Sequence, residues 1–277
     1  MKTVRTIPEL RNARSALKGS VGFVPTMGYL HEGHLSLIRR AKADNDHVVA
    51  SIFVNPTQFL PHEDFDSYPR DEARDLALLA KEGADLVFLP GVEDMYPQGT
   101  STFVTVEGLG DVLEGAFRPG HFRGVATVVA KLFNLVEPSR AYFGQKDAQQ
   151  VLVIRKMVAD LNMKVEVIAC PTIREADGLA MSSRNVYLSP EERQSALVLS
   201  QALFTARNLW RAGERNGEII RRTMREIVES APNAQIDYVS VADLESLAEI
   251  SQGNVTGLAS LAVKIGHTRL IDNVVLD

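Results

Sequence analysis

Cysteine is nearly absent: Cys170 is the one thiol in 277 residues. No internal disulfide can form. Cys170 ends the apolar run 165–169, so a buried strand thiol is the plain reading and a catalytic thiol the alternative. Such sparse use of cysteine fits a reducing cytosol. Long apolar runs are missing as well. No stretch of about 18 apolar residues occurs, so no transmembrane helix is expected. Residues 1–18 are polar and charged, without the continuous apolar core of a signal peptide. A basic excess is also lacking. The net charge is −5, which argues against nucleic acid as a partner. It leaves room for a local cationic pocket that takes a small anion. No internal repeat and no low-complexity segment is present.

Hydrophobic residues make up 45% and charged residues 23%, a soluble globular balance. The length suits one large or two unequal domains. It is enough to bury a sizeable core without a metal or disulfide staple.

The first two thirds alternate β-rich runs with amphipathic stretches. Strands are predicted at 21–27, 47–54, 84–90, 141–144 and 164–170. Helices are predicted at 34–43, 70–82, 124–136 and 146–161, the last with Val153, Ile154, Met157, Val158 and Leu161 at helical spacing. Near-continuous apolar strands separated by helices imply a parallel sheet covered on both faces. After about residue 173 the pattern changes. Ser189-Pro190-Glu191-Glu192 opens a helix to about residue 212, and a second helix spans 217–230. Strands at 235–241, 258–265 and 269–276 follow. The reading is α/β: a Rossmann-like doubly wound parallel sheet over 1–172 and a smaller C-terminal α+β domain over 173–277, expected to close over the active site.

In doubly wound sheets the ligand lies at the carboxyl ends of the strands. Four unusual motifs bear on this. Pro25-Thr26-Met27-Gly28-Tyr29-Leu30-His31-Glu32-Gly33-His34 joins the first predicted strand to the first helix. A helix N-terminus suits phosphate, and the two glycines admit close approach. His31 and His34, three apart, share one side of a helical turn. Metal binding is an alternative, although the zinc-protease pattern needs histidines four apart. A purely structural pair is another. Asn55-Pro56-Thr57-Gln58-Phe59 follows the next strand and offers uncharged groups for hydroxyls and a carboxylate. The acidic stretch at 63–66 reads as a solvated loop.

Phe143-Gly144-Gln145-Lys146-Asp147-Ala148-Gln149-Gln150 again joins strand to helix. Lys146 is a mobile point charge for a reacting phosphate, and Gln150 lies four residues on, on the same predicted helix face. Asp147 suits ribose hydroxyls or water-bound magnesium. Met181-Ser182-Ser183-Arg184-Asn185 can grip a polyphosphate, after an Asp177-Gly178 turn expected to let it move. His62, His121 and His267 lie in unpromising contexts, though Arg118-Pro119-Gly120-His121-Phe122-Arg123 reads as a candidate basic active-site loop.

His31-Glu32-Gly33-His34 is similar to the signature of the class I aminoacyl-tRNA synthetase and nucleotidyltransferase superfamily. Met181-Ser182-Ser183-Arg184 resembles its second signature in variant form. The full ordered set, from about residue 21 to 190, resembles the pantothenate synthetase family. That resemblance implies an ATP-dependent ligase. Pantoate becomes an adenylate with loss of pyrophosphate, and β-alanine then displaces AMP to form an amide.

The resemblance also implies an ATP site of Met27, Gly28, Tyr29, Leu30, His31, Glu32, Gly33, His34, Gly144, Gln145, Lys146, Asp147, Ile173, Met181, Ser182, Ser183 and Arg184. In it the His matching His34 is a proton donor. His31, His34 and Lys146 are the expected catalytic groups, with Lys146 on the α-phosphate. Gly144 and Asp147 would hold the ribose and Ile173 the adenine. Ser182, Ser183 and Arg184 would clamp the outer phosphates. Gln58, Gln150 and Asn55 would bind pantoate, with Gln58 near β-alanine also. Magnesium is expected with ATP, with no metal-ligand set built from the protein alone. A homodimer is expected, with neither nucleic acid nor membrane as partner. A nucleotidyltransferase, a metal-dependent hydrolase and a non-catalytic nucleotide-binding module are the rival readings.

Overall fold

The computed structural model describes residues 1–253 and 255–277. Its chain divides into two compact units. The first takes Met1–Asp111, Arg118–Gln145 and Gln149–Pro171; the second takes Val112–Phe117, Lys146–Ala148 and Thr172–Asp277.

The first part of the chain runs β1 (Lys2–Val4), α1 (Ile7–Ala16), β2 (Val21–Thr26), α2 (Glu32–Asp44), β3 (His47–Ile52), α3 (Glu72–Lys81) and β4 (Leu86–Phe88). It continues with two short helices, α4 (Val92–Met95) and α5 (Glu114–Phe117), then α6 (His121–Val136), β5 (Arg140–Gly144), α7 (Ala148–Asp160) and β6 (Glu166–Cys170). The six strands form one sheet in the order β1-β4-β3-β2-β5-β6, with every pairing parallel.

The strands are apolar throughout because both faces are covered. Phe23, Val49, Leu86, Phe88 and Phe143 face one core, with Leu10 of α1, Val125 of α6 and Ile154 of α7. Val24, Val48, Ala50, Val87 and Tyr142 face the other, with Ile38 of α2 and Leu79 of α3. Alternate residues of each strand serve opposite cores, as the pleat requires. Cys170 belongs to the second core and is buried. Burial raises its thiol pKa, which suits an inert thiol.

Four elements escaped the pattern reading, β1, α1, α4 and α5, and one helix starts later than expected. Residues 1–18 form β1 and α1, the helix opened by Thr6 and Glu9 in a reciprocal cap with Pro8 in its first turn. The helix expected over 146–161 begins at Ala148; Gln145–Asp147 form a 3-10 turn ahead of it. Lys146 and Gln150 therefore do not stand one turn apart on a regular helix.

Strand β2 pairs with β3 on one side and β5 on the other, and the direction of winding reverses there. This is the topological switch point. The motifs after β2, β3 and β5 all start from the carboxyl ends of strands at or beside it.

The second unit holds α8 (Pro190–Arg211), α9 (Gly217–Glu229) and the antiparallel strands β7 (Ala234–Asp243), β8 (Gly257–Ile265) and β9 (Thr268–Leu276), in the order β7-β8-β9. Leu199, Leu203 and Trp210 of α8 and Ile220 and Met224 of α9 pack on Val239, Leu261 and Leu276 of the sheet. Ser189 and Glu192 cap α8 reciprocally, as their spacing predicts.

Contacts explain the two earlier segments in this unit. Glu114 of α5 is buried and binds Arg269 through both oxygens at 2.7 and 2.8 Å, and Arg269 also binds Asp237 at 2.6 Å. The carbonyl of Lys146 accepts from Asn273 Nδ2 at 2.8 Å. Among the described residues no helix is long and apolar enough to cross a membrane.

Candidate active site

The first unit builds the His-Glu-Gly-His loop from β2. Thr26 Oγ1 donates to Ser51 O at 2.8 Å and accepts from Gly28 N at 3.2 Å, which turns the chain out of the sheet. Gly28 (φ +86°) and Tyr29 (φ +49°) are both left-handed. A Cβ on Gly28 would stand 3.0 Å from Ile52 and 3.1 Å from Asp75, so glycine is needed here for space as well as for φ. Asp75 of α3, 1% exposed, accepts from Tyr29 N at 2.6 Å and Leu30 N at 2.8 Å. Burial pushes its carboxyl above the ordinary range, against the two amides that lower it.

The two histidines form the helix cap themselves. His31 is the N-cap of α2, and its Nδ1 accepts from Gly33 N at 3.1 Å. His34 Nδ1 accepts from His31 N at 3.3 Å. The pair thus plays the parts that serine and glutamate play in an ordinary capping box. That is why α2 begins at Glu32 rather than at His34. It also decides the chemistry. Each Nδ1 uses its lone pair on a backbone N–H, so each neutral ring carries its proton on Nε2. The rings lie 4.1 Å apart between centroids. Two Nε2–H donors therefore sit together at the positive end of a helix. Glu32, in the same stretch, turns its carboxylate to Arg39, which also binds Glu82 at 3.0 Å.

The loop after β3 is ordered around Asn55, which is 1% exposed. Asn55 Oδ1 accepts from Tyr96 OH and Thr57 Oγ1, each at 2.9 Å. Its Nδ2 donates to Gln58 Oε1 at 3.0 Å and Gly124 O at 3.2 Å. Asn55, expected as a substrate ligand, thus spends its amide inside the protein and holds Gln58. Gln58 Nε2 lies 3.2 Å from Met27 Sδ. Helix α6 comes so close that a Cβ on Gly124 would stand 2.2 Å from Thr57 O.

The Gln58 carbonyl is held too. His121 Nδ1 donates to it at 2.8 Å and Arg118 at 3.2 Å. Arg118 also binds Glu63 through two nitrogens at 2.5 and 2.7 Å. The solvated loop expected at 63–66 is corrected at Glu63: its carboxylate is half-buried and paired. Burial raises that carboxyl, but the hydrogen bond and charge of Arg118 prevail and hold it below the usual range. Gln150 is half-buried on the first turn of α7, whereas neighbouring Gln149 is buried and donates to Leu109 O at 2.8 Å.

The second unit carries Lys146, Asp147, Ile173 and residues 181–184. Lys146 Nζ stands 3.5 Å from Asp147 Oδ1. Asn273, which holds the Lys146 carbonyl, donates its own N–H to Asp272 Oδ1 at 2.8 Å. Asp272 is buried and bound by Arg174 at 2.6 and 2.9 Å. Residues 173–181 close as a small hairpin: Met181 N donates to Ile173 O at 3.0 Å, and Arg174 bridges Ala180. Arg193 ties down Asp177 at 2.6 Å and Glu175 at 2.8 Å. The Asp177-Gly178 turn, expected to let the next segment move, is held by Arg193 at Glu175 and Asp177. Ser182 caps the 3-10 turn Ser183–Tyr187 by accepting from Arg184 N at 3.3 Å; Ser183 is buried and Arg184 half-buried. Gly144 and Gln145, at the end of β5, are half-buried in the first unit.

Asp75, Tyr96, Arg118, His121 and Asn273 were not among the expected site residues. Only the Arg118–Arg123 motif gave any signal, as a basic loop. The others act through contacts across about 40 to more than 100 residues, which spacing does not reveal.

A doubly wound parallel sheet, with imidazole donors and an oriented amide at its switch point, defines a nucleotide-using α/β enzyme. The profile of the family described as Pantoate-beta-alanine ligase matches residues 2–275. The chain therefore belongs to the pantoate–β-alanine ligase family. It is 62% identical to a pantothenate synthetase from Roseiflexus sp. (strain RS-1) over 277 residues, covering 100% of both chains. It resembles the crystal structure of a pantothenate synthetase from Thermus thermophilus, with TM-score 0.95, 53% identity and 99% of each chain covered. It also resembles a pantoate–β-alanine ligase from Francisella tularensis, whose structure is complexed with β-γ ATP and β-alanine. That match has TM-score 0.82 and 35% identity, and covers 99% of this chain and 97% of the other.

Proposed function

We propose that the chain joins pantoate to β-alanine at the expense of ATP, through a pantoyl adenylate. A pantoate carboxylate oxygen attacks the α-phosphorus, and the bond to the bridging oxygen breaks with release of pyrophosphate. The neutral amine of β-alanine then attacks the acyl carbon, AMP leaves, and the nitrogen loses a proton. The observation that carries this reading is the histidine cap. Two Nε2–H donors fixed by backbone amides stabilise charge on a leaving pyrophosphate without reorganising.

The other roles follow from the chemistry of each group. Lys146 neutralises the α-phosphate. Gly144, Gln145 and Asp147 take the ribose side, and Ile173 the adenine. Ser182, Ser183 and Arg184 grip the outer phosphates, with Met181 closing the hairpin behind them. The loop Met27, Gly28, Tyr29 and Leu30 lets ATP approach the backbone. Gln58 and Gln150 bind pantoate.

Magnesium fits as a companion of ATP. Among the described residues no group of three or more His, Cys, Asp or Glu could hold a metal ion. Asp147 would reach magnesium through water, with phosphate and water supplying its other ligands. When bound, it would neutralise charge on the phosphates. A cytoplasmic homodimer completes the reading, on the strength of the family resemblance; light scattering on the purified chain should give twice its mass.

The deciding experiment is pantoate-dependent exchange of labelled pyrophosphate into ATP without β-alanine. Exchange is expected. Its absence in protein that binds ATP would sink the adenylate mechanism.

A further inference from the structure

We infer that Asn55, polarised by backbone groups and held in place by the Tyr96 and Thr57 hydroxyls, fixes the polarity of the Gln58 amide, and so makes this subsite one that offers a donor and accepts only an acceptor. The inference rests on the reading of Gln58 as a pantoate ligand.

The argument starts from Asn55. Its Oδ1 receives Tyr96 OH at 2.9 Å, Thr57 Oγ1 at 2.9 Å and Thr57 N at 3.4 Å. Its Nδ2 faces two acceptors, Gln58 Oε1 at 3.0 Å and Gly124 O at 3.2 Å. Turning this amide over would set its NH2 against the Thr57 N–H and its oxygen against the Gly124 carbonyl, whereas the two hydroxyls can serve either way. At 1% exposure no water can relieve the mismatch. Asn55 therefore has one orientation.

That orientation passes to Gln58. Its Oε1 is taken by Asn55, so Nε2 is the atom turned the other way. Nε2 rests 3.2 Å from Met27 Sδ, a weak acceptor that a hydroxyl or carboxylate oxygen outcompetes. Gln58 thus reads a substrate oxygen as an acceptor.

What holds the Asn55 oxygen in place is a triangle of three oxygens. Tyr96 OH and Thr57 Oγ1 stand 3.1 Å apart, and either can donate to the other. Two hydroxyl protons serve three contacts. If Tyr96 donates to Thr57, then Thr57 donates to Asn55; if Thr57 donates to Tyr96, the reverse holds. Each arrangement that keeps both protons in the triangle delivers at least one to Asn55 Oδ1. Either hydroxyl alone can do the work, and losing both leaves only the longer backbone contact. The Tyr96 ring is pinned by Lys131, whose Nζ lies 5.4 Å from the ring centroid. Burial raises the pKa of the Tyr96 hydroxyl, against the hydrogen bonds that lower it, so the donated proton stays in place.

The redundancy dictates the test: pantoate KM in the exchange reaction for Tyr96→Phe, Thr57→Val and the double variant. Each single is expected to raise pantoate KM by about 2–3-fold, one modest hydrogen bond. The double should raise it by about 30-fold, well beyond the product of the singles, the mark of coupled partners. The KM for ATP should stay within about twofold throughout, since no bond to the histidine cap is touched. Thr57→Ser in the Tyr96→Phe background keeps a hydroxyl and should restore the single-variant value. A double variant at the product of the singles overturns the relay. So does a parallel rise in the KM for ATP, which marks general damage. Wild-type protein that binds ATP but shows no pantoate-dependent exchange overturns the functional reading instead, and the two failures are told apart.

Discussion

Replacing Lys146 with alanine is expected to lower kcat for pyrophosphate exchange by at least about 10²-fold, the usual worth of one preorganised charge or donor. The fold should survive. The loop is held through the Lys146 backbone, by Asn273 at 2.8 Å, and this bond does not involve the ammonium. The ammonium lies 3.5 Å from Asp147, a contact too long and too exposed to matter for stability. Far-UV circular dichroism and the thermal midpoint should stay near wild type. Lys146→Arg should recover only part of the rate, because a planar fork does not replace a compact point charge. Near-normal turnover in Lys146→Ala would remove the residue from the mechanism. His34→Ala should match the loss in rate but differ in stability. His34 Nδ1 also accepts from His31 N, so its removal costs about 1 kcal/mol of helix cap as well.

That contrast shows what could be read in the sequence. The parallel sheet was legible because its strands are apolar on both faces, and the candidate motifs at 25–34, 55–59 and 143–150 because they interrupt that pattern at the strand ends. Residues proposed to act through their own chemistry, such as Lys146 and the histidines, stood out by type and place. The start of α2 was hidden because histidine is an unusual capping residue, and only the geometry shows both imidazoles bound to backbone amides. Asn55 stood out in the sequence, but its hydrogen bonds to Tyr96, Gln58 and Gly124 did not. Its two neighbours in the sequence motif, Thr57 and Gln58, were visible; Tyr96, 41 residues on, was not. Likewise the 112–117 segment was silent, because its contacts in the second unit, Glu114 with Arg269 and Phe117 with Tyr238, span more than 120 residues.

The second large effect concerns Arg174. Arg174→Ala is expected to destabilise the protein by about 3–5 kcal/mol, the cost of leaving a buried charge without its partner. Asp272 is 3% exposed and holds Arg174 through both oxygens, at 2.6 and 2.9 Å. Burial already pushes the Asp272 carboxyl above its ordinary range, and Arg174 opposes that push. Without Arg174 the rise goes further. A carboxyl whose folded pKa is raised favours folding when protonated, and this help disappears as the pH climbs through the folded pKa. The deficit should therefore be largest at neutral pH and shrink toward about pH 4, near the unfolded aspartate pKa. Urea denaturation at several pH values measures it. A loss below about 1 kcal/mol at neutral pH would show that the pair is dispensable.

Activity should follow a different rule. Asp272 also accepts from the Asn273 amide, and Asn273 holds the Lys146 carbonyl. Replacing the pair together, Arg174→Met with Asp272→Leu, should recover most of the stability, because well-packed apolar residues often substitute for a buried ion pair. It should not recover kcat, because Asn273 loses the carboxylate that orients it. Stability restored with turnover still depressed would separate the two duties of this network. Recovery of both would confine Arg174 and Asp272 to packing.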